Sequence, residues 1–361
     1  MREWIELELE VLTPAFISGA NQKAVDLRAA SIRGLLRWWW RATVGNTFTS
    51  AEKLLQQESE IFGSAEKRLK SRIAVEVRIH QQKLMERAKR LPSSGMQFSY
   101  RIGATVGKAD ILPYLAYGPV RPLKRDEIRD GRALDPAFND PEGKALKGPV
   151  PIRPALAPGS SFTVCLAWFP DALQQDQVRQ LVRAACAWVT LGGIGARSRK
   201  GFGQLEKKDL DSSSRALRSK AEDWWREARS DWLRNGAEIQ NSLPPFPQLA
   251  YRRIIMTRPL NQGWPYVLGC LGMFYKQTLV PELKKSGLPW LRGTASDRRA
   301  SSILLGVLRE DARNLRGVIC ILPCARNGNP PAQNELKAVK SFLEAMKNSS
   351  LDCTKWANPG R

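Results

Sequence analysis

The residues of this chain best suited to chemistry are arginines and glycines, not nucleophiles. In SIRGLLRWWWRA, residues 31–42, Arg33, Arg37 and Arg41 recur four apart. On a helix they share one side, roughly opposite Ile32, Leu35, Leu36, Trp39 and Ala42. Three like charges in a row repel one another unless an anion sits among them. Arginine grips phosphate bidentately, so a phosphate backbone suits that face. Trp40 falls beside the arginines and can stack a base, whereas Trp38 lies nearer the buried side. Gly34 permits a close approach to the first turn. An ordinary amphipathic helix with a solvated basic face would show the same spacing.

A second constellation is LGGIGARSRKGFG, residues 191–203. Gly192, Gly193, Gly195, Gly201 and Gly203 allow unusual backbone angles and let backbone N–H groups approach an anion. Arg197, Arg199 and Lys200 add charge around Ser198. The segment follows a helix and precedes a strand, and Lys200 comes before Gly201. Both features exclude the phosphate loops of nucleotide enzymes. A third stretch, RGTASDRRASS at 292–302, sets Arg298 and Arg299 among small residues. It suits RNA or an intersubunit salt-bridge patch equally.

Catalytic candidates are few. His80 is the only histidine. Asp26 lies beside Arg28 in the loop before the arginine helix. No CxxC pair exists, and Cys320 and Cys324 have no histidine nearby. A zinc site and a histidine-based triad are therefore not expected, nor is any cofactor. The six cysteines are scattered, several in apolar runs, and read as buried free thiols of a reducing cytosol.

Lys and Arg number 57 against 35 Asp and Glu, a net charge of +22. That excess favours a polyanionic partner through counterion release. No run of 18 apolar residues exists, and Met1-Arg2-Glu3-Trp4 leads directly into a strand pattern. The expectation is a cytoplasmic protein without membrane span or signal peptide.

The elements that must position these residues follow from periodicity. Ile5, Leu7, Leu9 and Val11 alternate with Glu6, Glu8 and Glu10, which predicts a half-buried strand over 4–12. A loop over 13–30 precedes a helix from Ser31 to about Val44. Residues 72–80 and 162–169 read as strands. Gln175–Leu191 is an amphipathic helix, and Gly203–Lys208 a strand. The stretch from about 82 to 160 reads as a long insertion, partly mobile, with a short helix near Lys83–Arg90. The order β-α-β-β-α-β is ferredoxin-like, the layout of RNA-recognition sheet domains. Residues 211–248, charged and helical up to Pro244-Pro245-Phe246-Pro247, read as a connector. The remainder repeats the order: strand Arg252–Thr257, helix Tyr266–Leu279, strands Ser302–Leu308 and Gly317–Leu322, helix Gln333–Met346, and a last strand near Leu351–Trp356. The expected architecture is α+β: two tandem ferredoxin-like (RRM-like) domains, 1–210 with the insertion and 249–361.

The glycine-rich turn after the second helix of such a domain resembles the RAMP superfamily of CRISPR systems. The run TPAFISGANQKAVDLRAASIRGLLRWWWRA narrows the resemblance to the first subunits of the Cmr complex, the type III-B effector. DRRASSILLGV resembles that family's Arg-Arg-Ala-Ser strand. The likeness covers under half the chain and leaves out 82–160 and 211–248. It implies a non-catalytic subunit that contacts single-stranded guide or target RNA near the 3′ end of the CRISPR RNA, beside other Cmr subunits. By position, Arg33, Arg37, Arg41, Arg197, Arg199 and Lys200 inherit the RNA contacts. Arg28, Trp40, Gly193, Gly195, Ser198, Arg298 and Arg299 complete the expected set. The competing expectation is an endoribonuclease using Asp26 or His80.

Overall fold

The computed structural model describes residues 2–102, 105–288, 291, 301–325, 333–347 and 351–356. Strand β1 (Glu3–Val11) leads to helices α1 (Ala29–Val44) and α2 (Ala51–Phe62) and strand β2 (Ile73–Gln81). The insertion holds the hairpin β3 (Gln97–Ile102) and β4 (Thr105–Asp110) and the short helix α3 (Ile111–Leu115). Strand β5 (Ser161–Trp168), helix α4 (Gln175–Leu191), strand β6 (Leu205–Ser212) and helix α5 (Arg215–Trp232) follow.

The four long strands pair antiparallel in the order β6-β1-β5-β2. Ile5, Leu7, Leu9 and Val11 all point to one face, where they are buried with Phe162, Val164 and Leu166 against α1 and α4. The opposite face carries Glu6, Glu8, Glu76, Asp209 and Asp211, aligned across neighbouring strands. Arg78 from β2 reaches Glu6, and Arg218 from α5 reaches Asp209 and Asp211. This face is acidic, on a chain of net charge +22.

The second half comprises β7 (Arg253–Met256), α6 (Trp264–Phe274), β8 (Ile303–Arg309), β9 (Leu315–Ile321) and α7 (Gln333–Lys347). Its three strands are antiparallel in the order β7-β9-β8. Alternate residues of β8 and β9 serve two cores. Leu304, Leu308, Val318 and Cys320 join the first-half core, while Ile303, Leu305, Val307, Ile319 and Ile321 pack with α6 and α7. A sheet buried on both faces explains the unbroken apolar run ILLGVLR. The molecule is thus mixed α+β with antiparallel sheets.

Several expectations change. The last strand near Leu351–Trp356 is a 3₁₀ turn, Cys353–Lys355. Cys353 is disulfide-bonded to Cys270 of α6, so not all the cysteines are free thiols. Cys165, Cys186, Cys320 and Cys324 remain free and buried. The helix near Lys83–Arg90 is absent; Leu84–Met85 instead pairs with Ala155–Leu156 and anchors the base of the insertion. The connector's helix packs on the first core, where Ala221, Trp225, Ala228 and Trp232 are buried. The insertion packs on the second half: Ile111 and Leu115 lie against Gly272, and Met96 and Ser94 against Gly269.

Candidate nucleic-acid interface

Helix α1 begins at Arg28 without a side-chain cap and has no acidic residue in its first turn. The positive end of its dipole is therefore uncompensated there. Ile32, Leu36, Trp39 and Trp40 are buried, whereas Arg33 and Gly34 are exposed.

Helix α2 separates the three arginines. Its Glu58 side chain is only 1 % exposed and takes both Arg37 and Arg41, the latter at 2.7 Å. These two guanidiniums neutralise an internal carboxylate, so the arginine row is not a free phosphate rail. The same helix covers Trp40, which is fully buried with ring centroids 6.2 Å from Phe48 and 6.1 Å from Phe62. Trp40 cannot stack a base. Trp38, expected on the buried side, is half-buried and carries the Arg199 guanidinium 4.8 Å above its ring. Of the row, Arg33 alone has no carboxylate partner among the described residues. Arg28 pairs with Asp26 at 3.4 Å.

The glycine-rich turn is stitched to the loop after β1. Ala196 N–H donates to the Phe16 carbonyl, Gly203 N–H to Pro14, and Thr13 Oγ1 to the Gly201 carbonyl at 2.8 Å. Gly195 has φ +80°, and a Cβ there would stand 2.5 Å from the Phe16 oxygen. Gly193 likewise has positive φ and lies against the Gly203 carbonyl. These glycines permit chain-to-chain contact, a different reason from the anion approach expected of them. The N–H groups of Arg197, Ser198 and Arg199 have no protein acceptor among the described residues.

The loop's three cations point to three different elements. Arg197 donates through Nε to the Tyr117 carbonyl of the insertion and lies 6.0 Å from that tyrosine's ring. Arg199 stacks on Trp38 of α1 and donates through Nη1 to the Ser301 carbonyl at 2.6 Å. Lys200 places its ammonium 3.8 Å from the Tyr275 ring, in the extension of α6. The loop is a three-way joint between first half, insertion and second half. Burial lowers the guanidinium pKa of both Arg197 and Arg199 below its ordinary value. Arg298 and Arg299 lie outside the described residues.

His80 sits on the acidic face, its Nε2 2.6 Å from Thr163 Oγ1. Burial pushes the Cys186 and Cys320 thiols up to about 12, far from nucleophilic range. Among the described residues, no group of three His, Cys, Asp or Glu residues could hold a metal, and no helix is long and apolar enough to cross a membrane. A cavity of about 1050 Å³ lies elsewhere, beside Met256–Gln262 and Leu351–Thr354. No motif singled out in the sequence reaches it. The aromatic residues of the insertion, Phe98, Tyr100, Tyr114 and Tyr117, lie beside Arg197 and Lys276 and escaped the sequence reading. Their signal was aromatic residues close together in QFSYRI, beside Arg101, and in PYLAYG, between Lys108 and Arg121.

The family model of the RAMP superfamily matches residues 8–206. The chain is 39% identical over 210 residues to CRISPR system Cmr subunit Cmr1-2 of Pyrococcus furiosus, covering 56% of this chain and 94% of that protein. To Cmr1-1 of the same organism it is 24% identical over 328 residues, covering 84% and 82%. Among solved structures, a chain of a type III-B Cmr-beta complex bound to cognate target RNA shares the fold. Its TM-score is 0.53 at 14% identity, covering 96% of this chain and 99% of that one. The glycine turn, the arginine helix and the sheet that joins them are those of the RAMP superfamily, and the chain belongs to it as a first subunit of the Cmr effector of type III-B CRISPR systems.

Proposed function

We propose that the chain is a non-catalytic RNA-binding subunit of a type III-B Cmr effector. It grips single-stranded guide or target RNA near the 3′ end of the CRISPR RNA and abuts other Cmr subunits. Its two halves act as ferredoxin-like modules, the second with a three-stranded sheet among the described residues. One observation carries this reading. Arg33, Arg197 and Arg199 have no carboxylate partner among the described residues; Arg33 is exposed on α1, and Arg197 and Arg199 directly follow the bridge of Phe16 with Ala196. Guanidiniums without a carboxylate partner, and backbone N–H groups without an acceptor, are the donors a phosphate chain requires. The related complex whose fold the chain shares is bound to target RNA. His80 Nε2 lies against Thr163 Oγ1 and Asp26 pairs with Arg28, contacts that support the non-catalytic reading.

The test is fluorescence anisotropy of labelled single-stranded RNA across a salt series, with the RNA recovered on a denaturing gel. The expected result is salt-sensitive binding of intact RNA, with the log–log slope made shallower by about 0.7 in Arg33→Ala. Discrete cleavage products abolished by Asp26→Ala or His80→Ala would refute the non-catalytic role and favour the nuclease alternative.

A further inference from the structure

The insertion leaves three tyrosines in solvent, two of them beside cations with no carboxylate partner among the described residues. Tyr100, Tyr114 and Tyr117 are 41%, 38% and 62% exposed. Folding gains from burying aromatic surface, so three exposed rings in one insertion are available to something outside the fold.

Their surroundings indicate what that is. Tyr117 presents its ring to Arg197 of the glycine-rich loop, and its carbonyl accepts from the same guanidinium. Tyr114 stands just upstream, at the end of α3. The Lys276 ammonium lies 4.2 Å from the Tyr114 ring and 4.1 Å from that of Phe98. Phe98 is 5.5 Å from Tyr114 and 6.3 Å from Tyr100, so these rings form a series from α3 to the β3–β4 hairpin, and Tyr117, whose N–H donates to the Tyr114 carbonyl at 3.4 Å, follows on the side of the loop. Tyr100 lies across Gly107 of the facing strand, where an added Cβ would meet the ring at 2.6 Å. That seats one face of the ring on backbone. Neither Arg197 nor Lys276 has a carboxylate partner among the described residues, and desolvation lowers the Lys276 ammonium pKa. The insertion itself carries 14 Lys and Arg against 8 Asp and Glu over residues 82–160.

We infer that Tyr117, Tyr114 and Tyr100 form a base-stacking track, along which single-stranded RNA leaves the glycine-rich loop and crosses the insertion with its phosphates toward Arg197 and Lys276. The inference rests on the RNA-binding reading above and adds base contacts and a path to it. Every base has a π face, so such a track binds without sequence preference. A site that only neutralised phosphates would not need exposed rings.

The experiment uses the full chain, a fluorescein-labelled oligouridine and a copy with a central abasic segment, titrated across a salt series. Tyr100→Ala and Tyr117→Ala should each weaken binding by about 5- to 150-fold, since one stacked base contributes about 1–3 kcal/mol. The salt slope should stay that of the parent, because stacking releases no counterions; Arg197→Ala should make it shallower by about 0.7. Tyr117→Phe should restore binding and Tyr117→Leu should not. With the abasic oligonucleotide the alanine variants should cost nothing further. Parental affinity in both alanine variants, alongside weakened binding by Arg33→Ala, would overturn the track and leave RNA binding standing. Loss in Tyr117→Phe equal to that in Tyr117→Ala would also overturn it. Absence of RNA affinity in the parent chain would overturn both readings.

Discussion

Glu58 offers the sharpest test of why the arginine row is spaced as it is. Its side chain is 1 % exposed and takes Arg37 and Arg41 from α1, whose own side chains are 33 % and 37 % exposed. A unit charge pair about 4 Å apart contributes about 4 kcal/mol at an effective dielectric of 20. Removing both arginines leaves a carboxylate inside with no partner, and such a break costs about 3–5 kcal/mol. Arg37→Met/Arg41→Met should therefore lower the unfolding free energy by about that amount. Urea titration followed by tryptophan fluorescence measures it, since Trp39 and Trp40 lie in the affected core. Adding Glu58→Leu should return stability to within about 1 kcal/mol of the parent, because an apolar replacement of the whole cluster removes the desolvation cost as well as the attraction. RNA affinity of the triple variant should match the parent. Loss of less than about 1 kcal/mol in the double variant, with weaker RNA binding and a shallower salt slope, would refute the reasoning and return both arginines to the phosphate rail.

Trp40→Ala should cost about 3–5 kcal/mol, read by the same titration, because a fully buried ring is lost. Trp38→Ala should instead weaken RNA binding by freeing Arg199 from its stacking surface, at a smaller cost in stability. Cys353→Ala opens a loop of 83 residues, and chain entropy puts the loss at about 4–5 kcal/mol, visible as a lower melting temperature that matches that of the reduced parent. The Glu127 carboxyl is held down to about 2, chiefly by its hydrogen bonds with Arg121. Its folded pKa lies below the unfolded value, so its contribution is complete above pH 4.5 and fades as pH falls toward 2. Glu127→Gln should remove that part of the acid sensitivity in a pH series of melting curves.

The parts of the fold that read cleanly were those whose cause is local. The alternation of β1 and the stripe of α4 each fix a buried face from neighbouring residues alone. Helix α2 escaped because its buried row, Leu54–Glu58–Ile61, is broken by a carboxylate. Only the two arginines of another helix make that position tolerable, and nothing within 51–62 announces them. The error at Trp40 follows from the same gap, since α2 is what covers it. The glycine-rich turn was correctly located between α4 and β6, but the aim of its cations was not legible. The partners of Arg197 and Arg199 are Tyr117, Trp38 and Ser301, remote in sequence. Cys270 and Cys353 were equally opaque, because only the fold brings their Cα atoms to 5.3 Å.

The acidic outer face of the first sheet gives the molecule a permanent front and back. A nucleic acid strand drifting toward it meets carboxylates (Glu8, Glu6 and Glu76, the last two sharing Arg78) where the rest of a chain of net charge +22 offers attraction. The long-range field therefore exerts a torque before any atom touches, and encounters begin with the protein already turned. A subunit that must be added to an assembly in a single orientation gains by this, since wrongly turned approaches separate before they can trap the RNA.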